Sequence, residues 1–153
     1  MADNYNIDKV DLEILNILTL DAKKPYTEVA RKVHVSGGTV HVRMNKLEEA
    51  KIVRRATLEL DYKKLGFTLT AFLGLYLQKS SLYDEVFEQL KLIEEIITIH
   101  YTTGNYSMFL KMVCKDTSHL KDLLHDRIQK IDGIVRTETI ISLEESLSRN
   151  VSL

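Results

Sequence analysis

The chain has 153 residues, 44% of them apolar and 28% charged, enough for one good core or two small ones, with the composition of an ordinary water-borne globular protein. It has no apolar run of bilayer length, no basic-then-apolar opening in MADNYNIDKVD, and a single cysteine, Cys114; this argues against a membrane span, a secretion signal and an internal disulfide, and the expectation is a cytoplasmic protein. The net charge of −1 argues against a polyanion partner until its distribution is read: from Lys23 to Arg55, nine basic residues face three acids (Glu28, Glu48, Glu49), a local +6. Such a patch can hold a nucleic acid, and a solvated surface can carry the same charge.

In chain order, Asp8 is placed to cap a first helix with Asp11 in its first turn, and Val10, Ile14, Ile17 and Leu18 recur at helical spacing. The helix is predicted to stop near Asp21 to Lys24. Pro25, the only proline, suits the first turn of a second helix, whose Tyr26, Val29, Ala30 and Val33 form an amphipathic stripe. His34 and Val35 make a short turn. Ser36 then caps a third helix, in which Val40, Met44 and Leu47 form the buried stripe. Its remaining surface carries Gly38, Thr39, His41, Val42, Arg43, Asn45 and Lys46. Glycines are poor helix formers, but at a helix start they remove side chains where another molecule's backbone can come close, and the free N–H groups there suit a phosphate. Three short helices, the third basic and headed by glycines, make a helix-turn-helix. The plain alternative is the solvated face of a small bundle.

Ile52 to Leu60 reads as extended, a short hairpin or wing that brings Arg54 and Arg55 near a DNA backbone. Asp61 to Gly66 (DYKKLG) reads as a linker. The domains are therefore predicted at 1–60 (helix-turn-helix about 26–45) and 68–153, joined by 61–67.

Beyond the linker the period changes. Leu69, Ala71, Leu73, Leu75 and Leu77 alternate along a strand within Thr68 to Gln78. Tyr83, Val86, Phe87 and Leu90 mark a helix. Strands follow at Ile96 to Thr103 and Tyr106 to Lys115, around a turn at Gly104 and Asn105. Leu120, Leu123, Leu124, Ile128 and Ile131 mark a second helix, with Ser118 as its cap and Asp132–Gly133 as its end, before a last strand from Val135 to Leu143. The order βαββαβ is the ferredoxin-like arrangement, so the fold class is α+β, a winged helix-turn-helix followed by a ferredoxin-like domain. Phe72, Tyr76, Phe109 and Val113 make the second sheet face partly apolar, and another copy of the same sheet is the simplest cover for it.

Enzyme chemistry has little support. There is no nucleophile elbow, phosphate loop or His-Glu-x-x-His motif. His119 and His125 are six apart on a helix and cannot share a metal. A lone cysteine in a strand reads as packing.

The stretches GTVHVRMNKLEEAKIV, HYTTGNYSMFLKMVCKD and IQKIDGIVRTETII, with IDKVDLEIL at the start, resemble the leucine-responsive regulator / asparagine regulator (Lrp/AsnC) family of bacterial transcription factors, closest to the asparagine branch. The resemblance runs from Ile7 to Leu143. It implies a DNA-binding helix-turn-helix joined to a βαββαβ ligand-sensing domain. It also implies dimers formed through the sheets, octamers of four dimers, and a free amino acid bound between dimers at the turn between the second and third strands. On double-stranded DNA, Gly38, Thr39, His41, Val42 and Asn45 would approach base edges behind the Ser36 cap. Arg43 and Lys46 would take phosphates or guanine edges, and Arg54 and Arg55 would lie near the backbone. For the effector the resemblance points to Tyr101, Thr102, Thr103, Gly104, Asn105, Tyr106 and Ser107. Thr137 and Thr139, on one face of the last strand, would complete the site from a neighbouring subunit.

Two departures stand out. Many members carry Gly-Asp-x-Asp at the turn, whereas Gly104-Asn105-Tyr106-Ser107 has no acid, which supports the asparagine branch and argues against a ligand whose amino group needs an acidic partner there; the glycine and the hydroxyls of Thr102, Thr103 and Ser107 suit a zwitterion with a neutral amide side chain. Family recognition helices commonly start Ser-Pro, whereas here Ser36 precedes Gly37, a looser entry by about 1 kcal/mol of helix propensity. The expected function is a sequence-specific transcription regulator, not an enzyme, with no cofactor beyond an amino-acid effector, asparagine first. An architectural DNA-binding protein of the same fold that ignores small molecules is the alternative.

Overall fold

Asp8 opens the first helix through a reciprocal cap: its side chain accepts from the Asp11 N–H at 2.9 Å, while Asp11 accepts from the Asp8 N–H at 3.0 Å. The computed structural model describes residues 5–153. Residues 1–4, which belong to the expected 1–60 domain and to the stretch read for a secretion signal, lie outside the described residues. The chain divides into two units, one running to Glu59 and including Leu147–Leu153, the other Leu60–Ser146.

In the first unit, α1 (Lys9–Leu20), α2 (Tyr26–Lys32) and α3 (Gly37–Glu49) pack around Ile14, Leu15, Leu18, Val29, Ala30, Val33, Val40, Met44 and Leu47, all buried. The stripe of α1 is rotated from the sequence expectation. Asp11, Ile14, Leu15 and Leu18 are its buried residues, and Val10 and Ile17 are half-buried. Between α2 and α3, His34 takes a left-handed conformation (φ 57°) that reverses the chain without a glycine. Leu147–Leu153 belongs to this unit through α1. The Asn16 amide donates to the Leu153 carbonyl at 2.7 Å and accepts from its N–H at 2.9 Å, and the Asn150 amide donates to the Thr19 carbonyl at 3.0 Å.

The expected wing is absent. Residues 54–60 form no strand, and Leu58 and Leu60 stay exposed. A hairpin needs a tight turn, and Ile52 to Leu60 contains no Gly, Pro, Asn or Asp to make one. The first unit is a helix-turn-helix without a described wing.

In the second unit, β1 (Leu69–Leu77), β2 (Ile96–Tyr101), β3 (Met108–Cys114) and β4 (Ile134–Ser142) form one antiparallel sheet in the order β2-β3-β1-β4. The helices α4 (Tyr83–Leu90) and α5 (Thr117–Asp122) bury one face of it against Ala71, Leu73, Leu75, Met108, Leu110 and Met112. The cap of α5 is Asp116, which accepts from the His119 N–H at 2.8 Å, and not Ser118 as expected. An aspartate in an extended conformation one residue before the first turn outcompetes a serine already inside it. The helix continues as a wide π turn, Leu123–Ile128, which carries Leu123 and Ile128 into the core.

The opposite sheet face is aromatic. Phe72 stacks on Phe109 at 5.8 Å, Tyr106 stacks on Phe109 at 5.7 Å, and Tyr106 meets Tyr76 edge-on at 5.4 Å. Gly74, paired with Phe109 in the centre of this face, is bare for a reason: a Cβ there would lie 2.3 Å from Tyr106 Cδ1. The Gly74→Ala substitution must therefore expel the Tyr106 ring. It is expected to destabilise the unit by about 1–3 kcal/mol in chemical denaturation, the usual cost of overpacking. An unchanged midpoint would show that the ring does not occupy this seat.

Candidate functional site

The third helix is built to present its outer surface. Ser36 is its N-cap: Oγ accepts from the Thr39 N–H at 3.0 Å and lies 2.8 Å from Thr39 Oγ1. Neither glycine behind the cap is demanded by the fold, since neither has a positive φ. A Cβ on Gly38 would meet only Ser36 Oγ, at 3.8 Å, and one on Gly37 would make ordinary contact with Thr27 at 3.5 Å. Gly38 is exposed, so its missing side chain leaves the head of the helix bare toward solvent. His41, Val42, Asn45 and Lys46 are exposed along the same surface, Val42 at 52%, and His41 tilts against the Tyr26 ring at 6.0 Å. An open concavity of about 610 Å³ runs beside this surface, lined by Gly38, Thr39, Val42, Arg43 and Lys46 of α3 with Tyr5 and Asp8 among others. Arg54 and Arg55 are exposed in the stretch after the helix.

Arg43 stands apart from its neighbours. Its Nη1 donates to Asp8 Oδ2 at 2.7 Å and to Asp11 Oδ1 at 2.8 Å, and Asp11 is fully buried. Tyr5 donates its hydroxyl to Asp11 Oδ2 at 2.9 Å. The two carboxylates push the Arg43 guanidinium further up from an already high value, Asp11 contributing most. Asp8 is held below its ordinary value, first by the Asp11 backbone N–H and then by Arg43. Removing Arg43 would strand the Asp11 charge, at a cost approaching the roughly 3–5 kcal/mol known for fully buried pairs. The spacing carried this signal. Position 43 lies three after Val40 and four before Leu47, and position 11 lies three and four before Ile14 and Leu15. Both therefore sit on apolar stripes where a charge needs a partner.

The turn between β2 and β3 is less open than its hydroxyls suggested. Thr102 Oγ1 donates to the Tyr106 carbonyl, and the Thr102 N–H donates to the Ser107 carbonyl at 3.3 Å. Ser107 bonds β1 twice: its N–H donates to the Leu75 carbonyl at 2.8 Å, and its Oγ accepts from the Leu77 N–H at 3.2 Å. Tyr101 packs on Tyr83 at 4.4 Å. Thr103, Gly104 and Asn105 are the exposed tip. The register places Thr137 opposite Leu75 and Thr139 opposite Leu73, so both point to the helix side of the sheet. They line two separate grooves, of about 250 and 490 Å³, and neither groove includes a residue of 101–107. Within one chain the turn and the two threonines do not converge.

Reading by residue type also missed Glu138. It accepts from Tyr106 Oη at 2.8 Å and Tyr76 Oη at 3.1 Å and pairs with Arg136, whose guanidinium lies 5.1 Å over the Tyr76 ring. This ties the turn, through Tyr106, to β1 and β4. Cys114 is buried, and burial pushes its thiol up to about 11, as for a packing residue.

Residues 7–48 match the AsnC-type helix-turn-helix domain, and residues 70–151 match the Lrp/AsnC ligand-binding domain. The regulatory protein AsnC of Haemophilus influenzae is 39% identical over 96% of this chain and 98% of its own. The chain belongs to the Lrp/AsnC family. The AsnC protein of Escherichia coli K12 is 36% identical over 97% of this chain and 98% of its own. An Escherichia coli AsnC structure superposes with a TM-score of 0.91 at 35% identity, covering 97% of this chain and all of that one. The feast-or-famine regulatory protein of Mycobacterium tuberculosis, solved with L-methionine, superposes with a TM-score of 0.90 at 25% identity, covering 97% and 100%. The chain is thus a helix-turn-helix transcription regulator and not an enzyme, with a ligand-binding domain of the Lrp/AsnC type. Among the described residues no helix is long and apolar enough to cross a membrane.

The Glu138 network has a defined pH window. The bond to Glu138 raises the Tyr106 hydroxyl above the ordinary 10.0, desolvation does the same for Tyr76, and Tyr106 holds Glu138 below 4.5. The stabilisation from the phenols is complete below their unfolded value and is lost as pH rises through the raised folded values. That from Glu138 is present above its unfolded value and is lost as pH falls through the depressed folded one. In a spectrophotometric tyrosine titration, Glu138→Gln is expected to bring Tyr106 down toward 10.0 and Tyr76 by less. An unchanged titration would mean that the network does not exist in solution.

Proposed function

We propose that this regulator binds double-stranded DNA through the outer surface of α3 and answers to a free amino acid, asparagine, sensed at the turn between β2 and β3. Gly38, Thr39, His41, Val42 and Asn45 approach base edges, with Ser36 as the cap. Lys46 takes phosphate or guanine, and Arg54 and Arg55 follow the backbone. The observation that carries the DNA side is the bare, exposed head of α3, whose glycines have no internal reason to be there. The working unit is a cytoplasmic dimer formed by pairing of the aromatic sheet faces, and four dimers make an octamer. Residues 1–60 bind DNA, 61–67 link, and 68–146 sense and assemble, with the last residues serving the DNA-binding unit.

The effector site takes Tyr101 to Ser107 from one subunit and Thr137 and Thr139 from another, which accords with their failure to converge within one chain. Thr102 and Ser107 shape the turn through their internal bonds. Gly104 and Asn105 at the tip offer backbone and amide groups, without a carboxylate, to a zwitterion with a neutral amide side chain. Occupancy at a junction between subunits biases assembly, and assembly biases DNA affinity.

The test is fluorescence anisotropy on DNA from upstream of the chain's own gene, at fixed salt, with and without millimolar asparagine. Tight binding that asparagine shifts, with the shift abolished by Gly104→Asp, is the expected result. Tight binding indifferent to every amino acid tried would leave an architectural DNA-binding protein instead.

A further inference from the structure

The three helices of the first unit meet through apolar side chains, and such packing tolerates small rotations of one helix on another. A charged bond to a buried carboxylate does not, because its geometry is directional and its loss leaves an unmatched charge. Asp11 is such a carboxylate. Its Oδ2 is occupied by the Asp8 N–H and the Tyr5 hydroxyl, which leaves Oδ1 for Arg43. Because Asp8 and Asp11 form the cap of α1, the start of that helix is anchored to the middle of α3. Arg43 lies one turn from Thr39 and from Lys46, and adjoins Val42.

We propose that Arg43 is a positioning residue for operator recognition: held by Asp8 and Asp11, it sets the rotation of α3 and so the aim of Thr39, Val42 and Lys46, without itself contacting DNA. This rests on α3 being the DNA-reading helix. Non-specific binding comes from phosphate neutralisation and tolerates a loosely held helix. Base readout needs side chains at defined places in the groove. Loosening the anchor therefore costs selectivity before it costs general affinity. One Arg43 nitrogen bridges both carboxylates, so a lysine ammonium can restore much of the anchor.

The experiment uses the full chain. A duplex enriched by the wild type from a random library is compared with bulk genomic DNA, across a salt series, for wild type, Arg43→Ala, Arg43→Lys, Asp11→Asn and Lys46→Ala, each well below its own melting temperature. The expected result is that Arg43→Ala and Asp11→Asn each lower the ratio of selected to genomic affinity about tenfold and leave the salt slope unchanged, the loss of one good bidentate base contact being similar in size. Arg43→Lys recovers most of the ratio. Lys46→Ala reduces the slope by about 0.9, the signature of one lost phosphate contact. A slope reduced by about that amount in Arg43→Ala, with Asp11→Asn silent, would make Arg43 a phosphate contact and overturn the proposal. An unchanged ratio in both variants would overturn it too. Should Arg43→Ala fail to fold, Asp11→Asn and Arg43→Lys decide by the same criteria. A wild type that enriches no duplex would refute α3 as the reading helix, and the role of Arg43 with it.

Discussion

A carboxylate withdrawn from water must find matched donors, and at Asp11 that requirement organises the DNA-binding unit. The carboxylate is fully buried and takes a hydroxyl, a backbone N–H and a guanidinium. Each donor comes from a different place: the segment before α1, the cap of α1, and the middle of α3. An apolar residue at position 11 could pack as well or better, since buried ion pairs are seldom the most stable solution. What the pair adds is direction, and direction is what a helix needs when its outward residues must meet a groove in one orientation.

The second unit contains a related device at its aromatic sheet face. Glu138 gathers two phenols and a guanidinium, and Gly74 leaves the space that lets Tyr106 reach it. Tyr106 belongs to the turn assigned to the effector, while its ring lies on the face assigned to dimerisation. On the proposed function, a ligand that reshapes the turn acts on Tyr106 and is felt in the sheet face through the same side chain. The chain connects this unit to the DNA-binding unit twice, near Glu59 and again near Leu147, so the DNA-binding unit is tethered at both ends of the sensing unit's sequence.

Much of this was legible in the residues. The stripes Val29-Ala30-Val33 and Val40-Met44-Leu47 and the alternation from Leu69 to Leu77 located the helix-turn-helix and the first strand, because burial follows the period of each element. The places where reading failed have physical causes. Ile52 to Leu60 has strand-like composition but no turn residue to close a hairpin, so composition alone misled. Ser118 looked like a cap because local type was weighed without the competing Asp116. For Arg43, a basic residue on a basic helix suggests phosphate, and the internal partners that its place on the apolar stripe also indicates, Asp8 and Asp11, went unread. Gly74 and Glu138 gave no local signal, since their reason lies in Tyr106, whose ring reaches the sheet face from the turn between β2 and β3.

The most direct test of the account is low-temperature side-chain NMR of the arginine Nη–H groups, the atoms through which Arg43 holds Asp8 and Asp11, in the full chain, free and bound to the duplex it selects. The account predicts a protected Arg43 signal that keeps its position on DNA binding, while backbone amides at the head of α3, Gly37 to Thr39, shift strongly. An Arg43 signal that moves with DNA, or that is lost to fast exchange in the free chain, would contradict it: the guanidinium would then be leaving Asp11 for the DNA, and the buried carboxylate could not be what aims the helix.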